Sequence, residues 1–264
     1  MCLVVLAWQS HARYRLIVAA NRDEFHDRPS APLGWWPDDS RILAGRDLRG
    51  GGTWMGTARS GRLGIVTNFR ELERPATGAP SRGDLVTDFL AAAISPQEYL
   101  DGLRNRATHY AGFNLLLGGP RSLHYYSNRD GLEAKPLQPG IYGLSNHWLD
   151  SPWPKLLRTR ARLPDLIASE TVEPESLFAL LADRTPADPD ETPDTGLPPD
   201  WERALSSPFV VHDRYGTRCS TVLLVEHDGA TTMCERRFDA AGNATGDSRL
   251  EFASADVIER WPQE

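Results

Sequence analysis

Apolar positions in this chain come first as short unbroken runs and only later at helical spacing. Cys2 to Trp8 is one apolar run, and Tyr14 to Ala20, rich in Leu, Ile and Val and interrupted only by Arg15, follows the polar stretch that begins at Gln9. Two such runs with a short polar connection predict a β-hairpin, and their lack of alternation predicts burial on both faces. Asp23 to Asp39 contains Pro29, Pro32 and Pro37 and is expected to be an irregular loop, followed by a turn at Arg49 to Gly52. A second hairpin is predicted over Thr53–Ala58 and Arg62–Asn68, around Ser60-Gly61.

The pattern changes beyond that point. Asp84 to Ile94 carries helical spacing through Leu85, Phe89 and Leu90, and Ser95 followed by Glu98 forms a capping-box signal for a helix through Tyr99 and Leu103. Tyr110–Leu117 and Ser122–Tyr126 are predicted strands, whereas Trp153–Ile167 and Glu175–Leu181 are predicted helices. Residues 184–200 hold five prolines and several acids and are expected to form a mobile loop or lid. Thr217–Val225, Thr231–Phe238 and Arg249–Phe252 complete the chain as strands. Strands at both ends with helices between them suit one α+β domain of antiparallel sheets spanning residues 1–264.

Composition narrows the function. A formal net charge of −7 argues against nucleic acid as a partner. No apolar run approaches the roughly 18 residues needed for a membrane span, and no secretory signal opens the chain. The cysteines at 2, 219 and 234 are too few for a disulfide framework and suit a reducing cytoplasm. The seven histidines show no metal-ligand spacing, so no metal is expected. Gly50-Gly51-Gly52 lacks the residues of a phosphate loop and is expected to be a tight turn.

Cys2 is the candidate nucleophile. Removal of Met1 would leave its thiol beside a free α-amine, with ordinary values of about 8.5 and about 7.7–8.0 respectively. One residue would then supply nucleophile and base. Antiparallel pairing of the first hairpin brings Asn21-Arg22-Asp23-Glu24 near Cys2, and a carboxylate there can orient the amine. Asn68 and Asn146, each at a strand end or turn, could act as caps or as donors to an oxyanion. Trp54 is one of several tryptophans near these blocks that could line an acyl pocket.

Met1-Cys2, Asn21-Arg22-Asp23-Glu24-Phe25, Gly50-Gly51-Gly52-Thr53-Trp54, Thr67-Asn68-Phe69-Arg70 and Tyr142-Gly143-Leu144-Ser145-Asn146 together resemble the NRDE family. The family looks like a distant branch of the cysteine N-terminal nucleophile (Ntn) hydrolases. That resemblance implies a four-layer αββα sandwich and cleavage of an amide or related acyl bond in a small, partly apolar molecule, with no cofactor. It implies Cys2 as nucleophile, Asp23 at the terminal amine, Asn68 and Asn146 at the oxyanion, and Arg218 near the nucleophile. Asn21, Arg22 and Trp54 are the candidate substrate contacts. One departure stands at Ala20, where acylases among the cysteine Ntn hydrolases, such as penicillin V acylase, carry arginine; strand alternation is expected to point Arg22 elsewhere. The alternative implied by the same family is a lipid- or haem-handling carrier on this fold without the chemistry.

Overall fold

The computed structural model describes residues 2–72, 78–131 and 133–254. Its first hairpin pairs β1 (Cys2–Trp8) with β2 (Tyr14–Phe25), and the register sets Cys2 opposite Arg22. These strands join β10 (Gly140–Leu144), β12 (Tyr215–Glu226), β13 (Ala230–Phe238) and β14 (Ala244–Ala253) in the order β10-β1-β2-β12-β13-β14, with β11 (Val211–His212) pairing β12. A second sheet runs in chain order through β3 (Ser30–Trp35), β4 (Ile42–Asp47), β5 (Met55–Ala58), β6 (Leu63–Asn68), β7 (Phe113–Gly118), β8 (Leu123–Ser127) and β9 (Lys135–Pro136). Every pairing described is antiparallel.

Three apolar layers hold four structural layers together. Leu3, Val5, Ile17 and Ala19 pack beneath α3 (Pro154–Leu166) and α4 (Pro174–Leu181) through Leu156, Leu163 and Leu177. Val4, Leu6, Leu16 and Val18 face the other way, onto Met55, Ile65 and Leu116 of the second sheet. That sheet's outer face meets α1 (Arg82–Ala91) and α2 (Pro96–Leu103) through Leu85, Phe89 and Leu100. The result is the expected αββα sandwich. It explains why β1 and residues 16–20 of β2 are apolar at every position: each face is covered by a different layer. α5 (Pro199–Leu205) precedes β11.

The predicted loop over Asp23–Asp39 is corrected by the structure. β2 runs on through the polar block to Phe25, and Ser30–Trp35 forms β3. β3 lies at a sheet edge and its register breaks between Ala31 and Gly34, on either side of Pro32. An edge strand tolerates proline because its missing N–H faces no partner. The expected start of a strand at Tyr110 moves to Phe113, since 107–109 form a 3-10 turn. The last strand begins at Ala244 rather than Arg249. α5 occupies the end of the segment expected to be a lid.

Candidate active site

Two family motifs grip the backbone of Cys2. Leu144 pairs with Val4 at the end of β10, so the chain just beyond it passes the start of β1. There Asn146 Oδ1 accepts the Cys2 backbone N–H at 3.2 Å, and Ser145 Oγ donates to the Cys2 carbonyl at 3.0 Å. Asn146 Nδ2 donates to the Asn68 carbonyl at 2.9 Å, and Thr67 Oγ1 donates to the Ser145 carbonyl at 2.9 Å. The Asn146 carbonyl in turn accepts from the Arg70 N–H at 2.6 Å. The end of β6 and the turn after β10 are thus interlocked around the first residue of β1. Asn114 braces them with bonds to Thr67 Oγ1 at 3.2 Å and the His147 carbonyl at 2.9 Å.

Cys2, Arg22, Asp23, Trp54 and Asn68 line one cleft of about 340 Å³, with Glu24, Arg28, Asp47, Ser81, Arg82 and Gly83 on its other walls. Arg22 stands two residues beyond Ala20 and so shares its face of β2; contrary to expectation, alternation sets it beside Cys2. Ala20 itself is buried in the layer between the sheets. The Arg22 guanidinium lies 3.4 Å from Asp47 and 3.7 Å from Glu24. Asp47 also takes Arg28 at 2.6 Å and accepts the N–H groups of Arg49 and Gly50. This ties the glycine turn to the cleft wall. Gly51 adopts φ +82°, which favours glycine, and a Cβ on Gly52 would sit 2.6 Å from the Gly83 carbonyl carbon. Only glycine lets this turn meet the N-terminus of α1, capped by Ser81.

Asp23 lies at the junction of β1, β2 and β12. It is buried, and its Oδ1 accepts from Thr217 Oγ1 at 2.7 Å. Burial pushes its carboxyl up, opposed by the Lys155 ammonium, the Thr217 hydroxyl and Arg22. Burial likewise pushes the Cys2 thiol up, helped by the Asp23 carboxylate and opposed by Arg22. Cys219 is pushed well above the usual range by burial and by Glu235, and burial also raises Cys234.

Three expected site residues are absent from the cleft lining: Asn146, which grips the Cys2 backbone, Asn21 and Arg218. Asn21 faces the helix layer, where Nδ2 donates to the carbonyls of Leu181 at 2.9 Å and Pro208 at 3.0 Å while Oδ1 accepts from Ser220 at 2.6 Å. Its amide joins chain segments and does not line the cleft. Arg218 lies in a bulge of β12 and donates to the carbonyls of Phe25 at 3.2 Å and His26 at 2.8 Å, also outside the cleft lining. Conversely, Lys155 was not read from the sequence. It sits on the inward stripe of α3 with Thr159 and Leu163, and burial pushes its ammonium down to about 8. A lysine at helical spacing from Thr159 and Leu163, on the face that also buries Leu156, is the signal that could have found it. Among the described residues no three His, Cys, Asp or Glu side chains are grouped as metal ligands, and no helix is long and apolar enough to cross a membrane.

Residues 1–240 match the sequence model of the family described as Transport and Golgi organisation 2. The chain is 33% identical over 256 residues to the Transport and Golgi organization 2 homolog of Mus musculus, covering 89% of this chain and 92% of that one. The human homolog is 34% identical over 258 residues, with the same coverage. The Drosophila melanogaster protein is 26% identical over 260 residues, covering 89% and 91%. A solved structure with a related arrangement is the Caenorhabditis elegans N-acylethanolamine-hydrolyzing acid amidase ortholog. Its TM-score is 0.49 at 11% identity, over 84% of this chain and 92% of that one.

Proposed function

The chain belongs to the Transport and Golgi organisation 2 family, the family its motifs resemble, and from that premise we propose that it is an Ntn-type hydrolase of an amide or related acyl bond. The observation that carries this reading is the grip on Cys2: Ser145 and Asn146 hold its backbone while the residue lines the cleft. Met1 lies outside the described residues. Its removal would turn the N–H that Asn146 accepts into the α-amine of a nucleophilic cysteine.

The amine takes the thiol proton, and the sulfur attacks the acyl carbon. Asn68, at the cleft end of β6, donates to the developing oxyanion. The protonated amine then gives its proton to the leaving nitrogen as the C–N bond breaks. Water, deprotonated by the same amine, hydrolyses the thioester and returns the thiol. Asn146 gives its amide to the Asn68 carbonyl, which supports a role in holding the amine rather than the oxyanion. Trp54 offers an apolar wall to the acyl group, and Arg22 a charge to a polar end of the substrate.

The test uses protein with a free native N-terminus. Intact mass should show Met1 absent, and iodoacetamide should label Cys2 before Cys219 or Cys234. A library of small acyl amides should be turned over by this protein and not by Cys2→Ala or Cys2→Ser. Retained Met1 in active protein, or turnover by Cys2→Ala, would overturn the reading. Ligand capture without turnover by both wild type and Cys2→Ala would favour the carrier function instead.

A further inference from the structure

Three arginines line the cleft beside Cys2, and they are not matched alike. Arg22 and Arg28 share two carboxylates. Asp47 lies 3.4 Å from Arg22 and 2.6 Å from Arg28, and Glu24 lies 3.7 Å and 3.9 Å from the same two. Two positive charges therefore meet two negative ones. Arg82 stands outside this network and forms no ion pair among the described residues. The bond that holds it runs from Nη1 to the Gly112 carbonyl at 3.0 Å.

Neither the helix nor burial accounts for a cation at this position. Arg82 is the first residue of α1, where the helix dipole favours acids over bases. It is half-buried, and burial pulls its guanidinium down from the ordinary value, against the fields of Glu24 and Glu71. Both carboxylates are engaged elsewhere. Glu24 faces Arg22 and Arg28, and Glu71 accepts the Gly112 N–H at 2.8 Å and pairs with Arg129 at 2.9 Å. Asp23 is buried and accepts from Thr217. With Nη1 held by Gly112, Arg82 keeps its Nε and Nη2 edge, two parallel donors that match the two oxygens of a carboxylate. One unmatched positive charge suits a monoanion, whereas a phosphate monoester would bring about 1.5–2 negative charges.

We infer that the substrate is an acidic amide and that Arg82 is a specificity residue of the cleft, taking the substrate's carboxylate on its Nε and Nη2 edge while the amide carbon reaches Cys2. This rests on the hydrolase reading above for the chemistry and on the cleft alone for the binding. A cleft of about 340 Å³ with both groups on its walls suits one small molecule that spans them. Arg82 bears on which molecule is held and Cys2 on what is done to it, so the two roles can fail separately.

The experiment separates binding from turnover with two matched pairs of probes. N-hexanoylglycine is set against N-hexanoylglycinamide, and adipic acid monobutylamide against its primary amide; N-hexanoyl-O-phosphoethanolamine is the phosphate probe. Binding is measured by calorimetry on Met1-processed Cys2→Ala protein, and turnover on processed wild type. In at least one pair the acid should bind and turn over about 10–100-fold better than its neutral partner. Arg82→Gln and Arg82→Met should each cut that ratio below about threefold. Arg82→Lys, which keeps the charge and loses the fork, should lie between them and wild type. Arg82→Glu should reverse the preference, binding N-hexanoylethylenediamine over N-hexanoylglycine, an outcome that misfolding does not produce. Equal affinity of acid and neutral amide in both pairs overturns the proposal, as does an acid preference that survives in both folded uncharged variants. Tighter Arg82-dependent binding of the phosphate probe overturns the assignment to a carboxylate. Acids held through Arg82 with no amide turned over overturn the hydrolase reading and leave the Arg82 subsite standing. Equal turnover of acids and neutral amides overturns the subsite and leaves the hydrolase.

Discussion

Asn146 holds Cys2 by its backbone N–H and Asn68 by its carbonyl, so one side-chain amide fixes the spacing between the candidate nucleophile and the end of β6. Asn146→Ala would leave two buried backbone groups without partners, at about 1–3 kcal/mol each. Urea unfolding should show a loss of roughly 2–6 kcal/mol. Asn146→Asp keeps an acceptor for Cys2 but sets a carboxylate against the Asn68 carbonyl, and it should be no more stable than alanine. A loss under 1 kcal/mol in both would show that the clamp does not contribute as described.

Stability should rise with pH in the alkaline range because of Lys155. Its ammonium loses its proton at about 8 in the folded chain, against 10.5 for an ordinary lysine. Below about 8 the group is charged in both states and the cost of burying it is fully present. Between about 8 and 10.5 the unfolded chain binds more protons, so the folded state gains as pH rises, by roughly 3 kcal/mol in all. Lys155→Met should be the more stable protein at pH 7, and this alkaline gain should vanish from it. Chemical denaturation at pH 7, 8.5 and 10 checks both statements.

Glu202 ties down much of the proline-rich segment before α5. It pairs with buried Arg70 at 3.0 Å and accepts the N–H groups of Thr195 at 2.7 Å and Leu197 at 3.3 Å. Glu202→Ala leaves the Arg70 charge buried and should cost about 3–5 kcal/mol. It should also speed cleavage within 186–198 by a nonspecific protease before the rest of the chain is cut. Glu202→Gln, which keeps one acceptor, should lie between alanine and wild type. Cleavage that is unchanged in Glu202→Ala would show that the segment is held by its other contacts.

The two glycines of the 50–52 turn should differ in what they break. Gly52→Ala drives a Cβ into the backbone at Gly83 and Asp84, 2.6–2.9 Å away, and must displace the start of α1. Overpacking of this kind costs about 1–3 kcal/mol, and because Ser81 to Gly83 line the cleft, Cys2 labelling should change with it. Gly51→Ala meets no atom within 4 Å and suffers only its φ of +82°. It should cost about 1–2 kcal/mol and leave the labelling rate alone. Equal effects of the two substitutions on labelling would refute the contact.

The first hairpin was legible because its apolar residues fill two layers at once, and sandwiched strands show continuous runs. The continuation of β2 through Asn21-Arg22-Asp23-Glu24 was not. Four polar residues in a row read as a turn, and only neighbours on both sides turn them into strand: Cys2 and Leu3 of β1, opposite Arg22 and Asn21, and Thr217 and Ser220 on β12. β3 was hidden by its proline, and α5 by having barely two turns and few apolar positions. Within the site, Cys2, Asp23, Asn68 and Trp54 could be gathered from motif order. The direction of Arg218 depends on a bulge, and the partners of Asn21 lie 160 and 187 residues away. Neither is written in local pattern.

The bond from the Cys2 N–H to Asn146 also bears on how this protein can be handled in the laboratory. That nitrogen is enclosed, and on the proposed mechanism it is the base. An affinity tag, a fluorescent protein or even one uncleaved residue upstream converts it into an amide, which cannot take a proton near neutral pH. Such a fusion could fold, purify and localise normally while behaving as a null allele. Rescue experiments and substrate screens with amino-terminal fusions would then report a carrier, whatever the untagged protein does. Labels belong at the carboxyl end, or upstream only where a protease leaves Cys2 first.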